Sequence, residues 1–383
     1  MHINELLQIA VTAGASDLHL KVGSYPMMRV SGTLVVASEE KRLERPDTEA
    51  FAQALFTPDL AQKFKASQEV DLAYSVQGLG RFRCNAFQQR GTVGLVMRVI
   101  PTRISSIDEL GLPQVLKHIA SEERGLVLVT GTTGSGKSTT LAALIDHINS
   151  TRSTHIMTIE DPIEYLHRDH HSIVNQREIN VDTRSFSHAL RSALRQDPDV
   201  IMVGEMRDHE TVETALLAAE TGHLVFSTLH TLDATETINR IIAVFPPHQQ
   251  RQVRIQLASV LKAAISQRLM PRADGLGRVP AVEVMVSTAF IRDCIVDKDK
   301  TSQIHGAIAA GTSQYGMQTF DQSIFSLYQQ GFVTLEEAMR WASNVDEFKL
   351  KVQGISTTAD LARDTMTRST RPGGAPEITR FGS

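Results

Sequence analysis

The sequence predicts a mixed α/β protein whose larger part is built on a parallel sheet with helices on both faces. Three observations carry this. From Gln114 onward, short apolar strands at 125–130, 155–160, 200–204 and 224–228 alternate with helical segments, the order that parallel crossovers require. Residues 131–139 read Gly-Thr-Thr-Gly-Ser-Gly-Lys-Ser-Thr, which fits G-x-x-x-x-G-K-[ST] between a strand and a helix. The first hundred residues mix strands and helices but hold no such loop.

A chain of 383 residues suggests two or three domains. Residues 1–13 read as an amphipathic helix ended by Gly14, followed by strands at 17–21 and 27–30, a helix at 47–55, and strands at 71–76, 81–88 and 93–99. Pro, Ser and Gly breakers mark 101–113 as a linker. The sheet region then runs over 114–287. Residues 288–356 are mostly helical, clearest at 335–342. The last stretch, 357–383, has few large apolar residues and reads as a mobile tail. This gives a first domain at 1–100, a linker, a core at 114–287, a helical region and the tail.

Bulk properties exclude several classes. Hydrophobic content of 42% and charged content of 21% are those of an ordinary globular protein. A net charge of −4 argues against a protein devoted to neutralising nucleic acid. No apolar run approaches 18 residues, and the start, Met1 to Glu5, lacks a signal-peptide pattern. Cys84 and Cys294 stand far apart, which suits a reducing cytosol and gives no cysteine zinc site.

The chemistry starts at the loop. Gly131, Gly134 and Gly136 let the backbone wind tightly enough to aim amides at phosphate oxygens, together with Thr132, Thr133, Ser135 and Thr139. Lys137 would reach the β- and γ-phosphates and the Ser138 hydroxyl would ligate Mg²⁺, so the bound species is a nucleoside triphosphate. The apolar strand at 200–203 ends in Gly204 and Glu205, a Walker B arrangement. Its longer glutamate arm points to metal contact through water. Between these motifs, Glu160, Asp161 and Glu164 follow a strand and are bent by Pro162. Glu164 is best placed to orient the attacking water, and Glu160 and Asp161 to support the loop and the metal's outer shell, although spacing alone leaves the three interchangeable. His223 enters an apolar strand and His230 leaves it; His230, at the C-terminal end, faces the ligand crevice. Arg81 and Arg83 share one face of a strand near Arg98. They read either as a solvated edge or as arginine fingers for a neighbouring chain.

These four motifs, in this order and spacing, resemble the Walker A, Asp box, Walker B and His box of secretion ATPases. More narrowly the chain resembles the PilT-like type IV pilus retraction ATPases, from Ser16-Asp-Leu-His-Leu20 through Gly80-Arg-Phe-Arg83 to Gly316-Met-Gln-Thr-Phe-Asp321. The resemblance implies a PAS-like N-terminal domain, a RecA-like P-loop core with a helical C-terminal part, and a ring-shaped homo-hexamer. It implies ATP and Mg²⁺ as ligands and domain rotation on hydrolysis as the motor. It assigns Glu164 as catalytic base, Glu205 as the Walker B acid, and His223 and His230 to the His box. It also makes Arg81, Arg83 and Arg98 nucleotide contacts. The implied partners are an inner-membrane pilus platform protein and a paralogous retraction ATPase, with no nucleic acid, and the implied place is the cytoplasmic side of the membrane at the pilus base.

One segment departs from the family. Its helical signature AIRNLIRE is matched here by residues 290–297, where Val296 replaces an arginine and Asp293 an asparagine. That leaves open an accessory ATPase of the PilU kind, which works with a second motor. Assembly and type II secretion ATPases usually add a large N-terminal region and a tetracysteine module; this chain starts at the Ser16–Leu20 domain and has two cysteines, so retraction is expected over assembly.

Overall fold

The computed structural model describes residues 2–354; the tail expected at 357–383 lies outside them. The chain forms two units. The first takes the residues up to Ile104 together with Glu160–Arg168 and Arg177–Ser185; the second takes Ser105–Ile159, Asp169–Gln176 and the chain from Phe186 onward.

The first unit is an antiparallel sheet with helices. Its strands are β1 (Asp17–Leu20), β2 (Met27–Val30), β3 (Thr33–Val36), β4 (Glu69–Val76), β5 (Gly80–Gln89) and β6 (Thr92–Val99), in the spatial order β3-β2-β1-β6-β5-β4. Its helices are α1 (Ile3–Thr12), α2 (Arg45–Leu55) and α3 (Pro58–Ser67). Strand alternation explains the burial: Phe82, Cys84 and Ala86 of β5 join the core with Leu6, Leu7 and Phe51, while Arg81 and Arg83 point the other way. Two elements were not foreseen. β3 is an edge strand whose side chains are almost all exposed, so it shows no apolar alternation. The start of α3 does have a legible signal, the cap Thr57 before Pro58 at the first helical position.

The second unit holds α4 (Val115–Ala120), β7 (Gly125–Thr130), α5 (Lys137–Thr151), β8 (His155–Glu160), β9 (Ile173–Glu178), α6 (Phe186–Ala193), β10 (Val200–Val203), α7 (His209–Glu220), β11 (Leu224–Leu229), α8 (Ala234–Ala243) and α9 (Gln250–Val260). It continues with β12 (Leu261–Pro271), β13 (Arg278–Val286), α10 (Ala289–Val296), α11 (Ile304–Ala310), α12 (Thr312–Tyr315), α13 (Phe320–Gln329), α14 (Leu335–Trp341) and α15 (Val345–Val352). The sheet order is β13-β12-β7-β11-β10-β8-β9. β12, β7, β11, β10 and β8 run parallel, as expected; β13 pairs antiparallel with β12 and adds a hairpin the sequence reading did not single out.

Every residue of β7, β10 and β11 is buried, because helices cover both faces of these strands. Val127 and Val129 pack with Leu141, Leu144 and Ile148 of α5. Leu126 and Leu128 point to the opposite face, the side on which α7 packs. Residues 105–113 have no regular structure, yet Ile107 and Leu112 are buried in this same core.

Phe226, at the centre of β11 with no exposed surface, anchors that core. Phe226→Ala should destabilise the protein by about 3–5 kcal/mol, read as a lowered thermal or denaturant midpoint.

Candidate nucleotide-binding site

β7 leads directly into the phosphate loop. Its last residue, Thr130, donates its hydroxyl to Ser266 Oγ on β12 at 3.0 Å, which fixes where the loop begins. Gly131 has φ +143°, Gly134 +79° and Gly136 +95°. A Cβ on Gly131 would stand 2.4 Å from the carbonyl oxygen of Gln267, and one on Gly136 would stand 2.6 Å from Gln267 Nε2. Gly131 is therefore required twice over, by its backbone conformation and by the backbone of the neighbouring strand, and Gly136 by its conformation. Gln267 is itself buried and accepts a hydrogen bond from Thr140 Oγ1 at 2.7 Å, which ties α5 to β12.

The loop is built to receive an anion. Gly136 gives α5 no side-chain cap, and no acid sits in the first turn. A 15-residue helix thus begins without a side-chain cap, and the positive end of its dipole favours an anion there. Lys137 is buried, and its ammonium group donates to the carbonyls of Gly131 and Thr132, both at 2.9 Å. The buried hydroxyl of Ser135 has no hydrogen-bond partner in the protein. Thr132, Thr133 and Gly134 are exposed, and Ser138 and Thr139 are half-buried. A polyphosphate fits this donor set. Among the described residues no cluster of three or more acids, histidines or cysteines forms a metal cage.

Glu205 follows β10. The Gly204 amide donates to Ile159 O at 2.7 Å, its carbonyl accepts from Thr228 Oγ1 at 2.6 Å, and the Met206 amide donates to Thr228 O. This clamps the acid between the ends of β8 and β11. The Glu205 carboxylate lies 2.6 Å from Arg207 Nε and 3.6 Å from His230 Nε2. Glu205, Arg207, His230, Glu236 and Arg240 line a cavity of about 320 Å³. The structure thus brings the loop, Glu205 and His230 to the C-terminal edge of neighbouring strands β7, β11 and β10, where open α/β sheets bind ligands.

His223 is not brought there. It precedes β11 at the opposite edge, roughly 23 Å from His230 at an extended rise per residue. Its Nδ1 lies 2.9 Å from Ala218 O at the end of α7, a contact that anchors the strand's start.

Glu160, Asp161 and Glu164 belong with the first unit, as do the three arginines. Glu160 is buried and accepts from the Glu164 amide at 3.3 Å, so it shapes the turn that carries the exposed Glu164. Arg81 is ion-paired to Glu178 at 3.0 Å, and the same carboxylate oxygen accepts the Ile163 amide. Arg98 pairs with Asp17 at 2.9 Å and lies across the strand from the exposed Arg83. Burial would raise the Asp17 carboxyl, but hydrogen bonds from Ser16 and Arg98 outweigh it and hold it below the usual range. Gln267, Glu178 and Asp17 were not foreseen in these roles. Each lies in a strand, and nothing in the local pattern names its partner.

One more buried acid went unread. Glu283 on β13 is opposite Ser266 and accepts the Ala234 amide at 2.9 Å. Burial pushes its carboxyl up to about 7.

The fold and loop define the class: a P-loop nucleoside-triphosphate-binding protein on a mixed α/β frame. Residues 1–340 match the family described as "Type II/IV secretion system protein". The chain is 47% identical to the type IV pilus retraction ATPase PilT of Pseudomonas aeruginosa, covering 91% of this chain and 100% of that one. It is 41% identical to the type IV pilus ATPase PilU of the same organism, over 94% of each. A crystal structure of the pilus retraction motor PilT with bound ADP superposes with a TM-score of 0.83 at 48% identity, covering 91% of this chain and 98% of that one. The chain belongs to the type II/IV secretion system family and within it is a PilT-like ATPase.

Gly136→Ala should lower nucleotide affinity about tenfold or more, since strain of 1–3 kcal/mol falls on the loop itself; titration with a fluorescent nucleotide reads this. A second expectation concerns pH. The folded state holds a proton on Glu283 that the unfolded chain has released between about pH 4.5 and 7, so this group's contribution to stability falls as pH rises through that window. Glu283→Gln should remove that part of the decline, on the order of 3 kcal/mol, measured by melting curves at several pH values.

Proposed function

We infer that the chain is an ATP-hydrolysing motor that retracts type IV pili. The observation that carries this is the anion cradle of Ser135, Lys137 and the start of α5, in a chain that matches a retraction ATPase over 91% of its length. ATP supplies the phosphoanhydride whose hydrolysis drives the cycle. Gly131 to Thr139 hold its phosphates. Ser138 and Glu205 would hold Mg²⁺, which would neutralise charge on the phosphates. Glu164 orients and deprotonates the attacking water, with Glu160 and Asp161 shaping its loop. His230, beside Glu205, responds to the γ-phosphate, and His223 keeps β11 in register. Arg81, Arg83 and Arg98 neutralise charge that develops on the phosphoryl group, and Arg81 and Arg98 exchange their present carboxylate partners to do so.

The working assembly in this reading is a ring-shaped homo-hexamer of PAS-like N-terminal domains (1–100), linkers (101–113), RecA-like cores (114–287) and helical regions (288–356). It sits on the cytoplasmic face of the inner membrane, against the pilus platform protein. No helix among the described residues is long and apolar enough to cross a membrane, so attachment would come from that partner. A ligand held by two rigid bodies favours their closed arrangement, which makes domain rotation the stroke.

The variant α10 favours a second reading. Val296, where the retraction family has arginine, is exposed, as is Phe290. An accessory ATPase of the PilU kind, acting beside a paralogous motor, would carry such a change. Deleting the gene tests retraction: cells left hyperpiliated and unable to twitch support it, whereas loss of all pili overturns it; purified protein that hydrolyses ATP only when a paralogue is added favours the second reading. Glu164→Gln should lower kcat about 10²–10⁴-fold with nucleotide still bound. Turnover by that variant at the wild-type rate removes Glu164 as the base.

A further inference from the structure

We propose that Glu283 is a positioning residue for turnover: its carboxylate holds the first amide of α8 and thereby sets His230 against Glu205. The inference rests on the reading that Glu205 and His230 serve ATP hydrolysis.

The start of α8 already has a cap, since Asp233 accepts the Glu236 amide at 2.7 Å. Glu283 reaches the same helix start from a strand 49 residues further along the chain and takes the Ala234 amide. It is 2% exposed, flanked along the strand by the buried Ala281, Val282, Val284 and Met285. An ionisable group there is expensive to desolvate, and an apolar side chain would serve stability better. Three charged groups face it from the elements packed around it: Asp233 at the head of α8, Arg268 on β12 and Asp321 on α13. One cation against two acids leaves the carboxylate incompletely compensated, so its retention points to geometry rather than stability.

That geometry reaches the site in short steps. The turn from His230 to Asp233 is fastened to α8. Glu236 Oε2 accepts the Leu232 amide at 2.6 Å, and the hydroxyls of Thr231 and Thr237 are 2.6 Å apart. Whatever places the first turn of α8 therefore places His230, whose Nε2 is 3.6 Å from Glu205. Glu283 also lies opposite Ser266, the partner of Thr130 at the mouth of the phosphate loop. The β12–β13 hairpin thus holds the loop at one residue and the His230 turn at the next strand. The ionised carboxylate makes the stronger bond to the Ala234 amide and to the helix dipole, so His230 is held most firmly above the pH at which Glu283 releases its proton.

The test is steady-state ATPase of the full-length protein from about pH 5.5 to 9, for wild type, Glu283→Gln, Glu283→Ala and the control Glu205→Gln. Glu283→Ala should lose about tenfold in kcat, with KM for ATP within about threefold of wild type. Wild-type turnover should rise through pH 7 as the carboxylate forms. Glu283→Gln, which keeps an acceptor oxygen but does not titrate, should be flat there and lie between wild type and Glu283→Ala. Wild-type kcat in Glu283→Ala, or an unchanged inflection in Glu283→Gln, overturns the proposal. If Glu283→Ala does not fold by circular dichroism, the Glu283→Gln profile decides alone. Full turnover in Glu205→Gln removes the underlying reading instead, so the two failures are distinguishable.

Discussion

The rest of the site depends on the start of α5, where a helix with no side-chain cap brings the positive end of its dipole to the phosphate loop. A helix end can remain uncapped only if the approach to it is very tight, which the left-handed glycines provide, and only if nothing else fills the space they leave. Gln267 makes the second condition strict by packing against both Gly131 and Gly136 while anchoring Thr140. The phosphate loop is therefore a three-strand construction. β7 delivers it, β12 shapes it, and β11 separates it from the acid at the end of β10.

Sequence reading found what repeats or what carries a spacing rule. β7, β10 and β11 are continuous apolar runs because both their faces are covered, and each was visible at nearly its full length. The loop and Glu205 were visible for the same reason, as fixed residues at the ends of such runs. What escaped lacks a local signature. β3 has no buried face to alternate against. The role of Gln267 depends on a strand pairing across more than 120 residues. His230 was legible as the crevice-facing end of β11, whereas the contact of His223 with Ala218 depends on the end of α7. Glu178 and Asp17 are ordinary strand acids until a partner arginine is brought opposite.

Those two acids bear on how the arginines work. Arg81 is half-buried with a nearly buried partner, whereas Arg98 is largely exposed beside a buried aspartate. Such pairs fix orientation more than they stabilise, because desolvation offsets much of the attraction. Each guanidinium is held in a defined place by its carboxylate, and Arg83 lies exposed across the strand from Arg98.

The division of the chain also changes what can be cut from it. The backbone passes between the two units at 104–105, 159–160, 168–169, 176–177 and 185–186. A fragment ending near Ile104 would leave behind Glu178, the counterion of Arg81, and the whole Glu160–Arg168 loop. A fragment beginning near Ser105 would carry both segments without the sheet they pack with. Neither half is a module that could be traded between relatives by a single crossover at the linker. Recombination that preserves both units has to exchange the first hundred residues together with these two short inserts, so the two parts are bound to evolve as one.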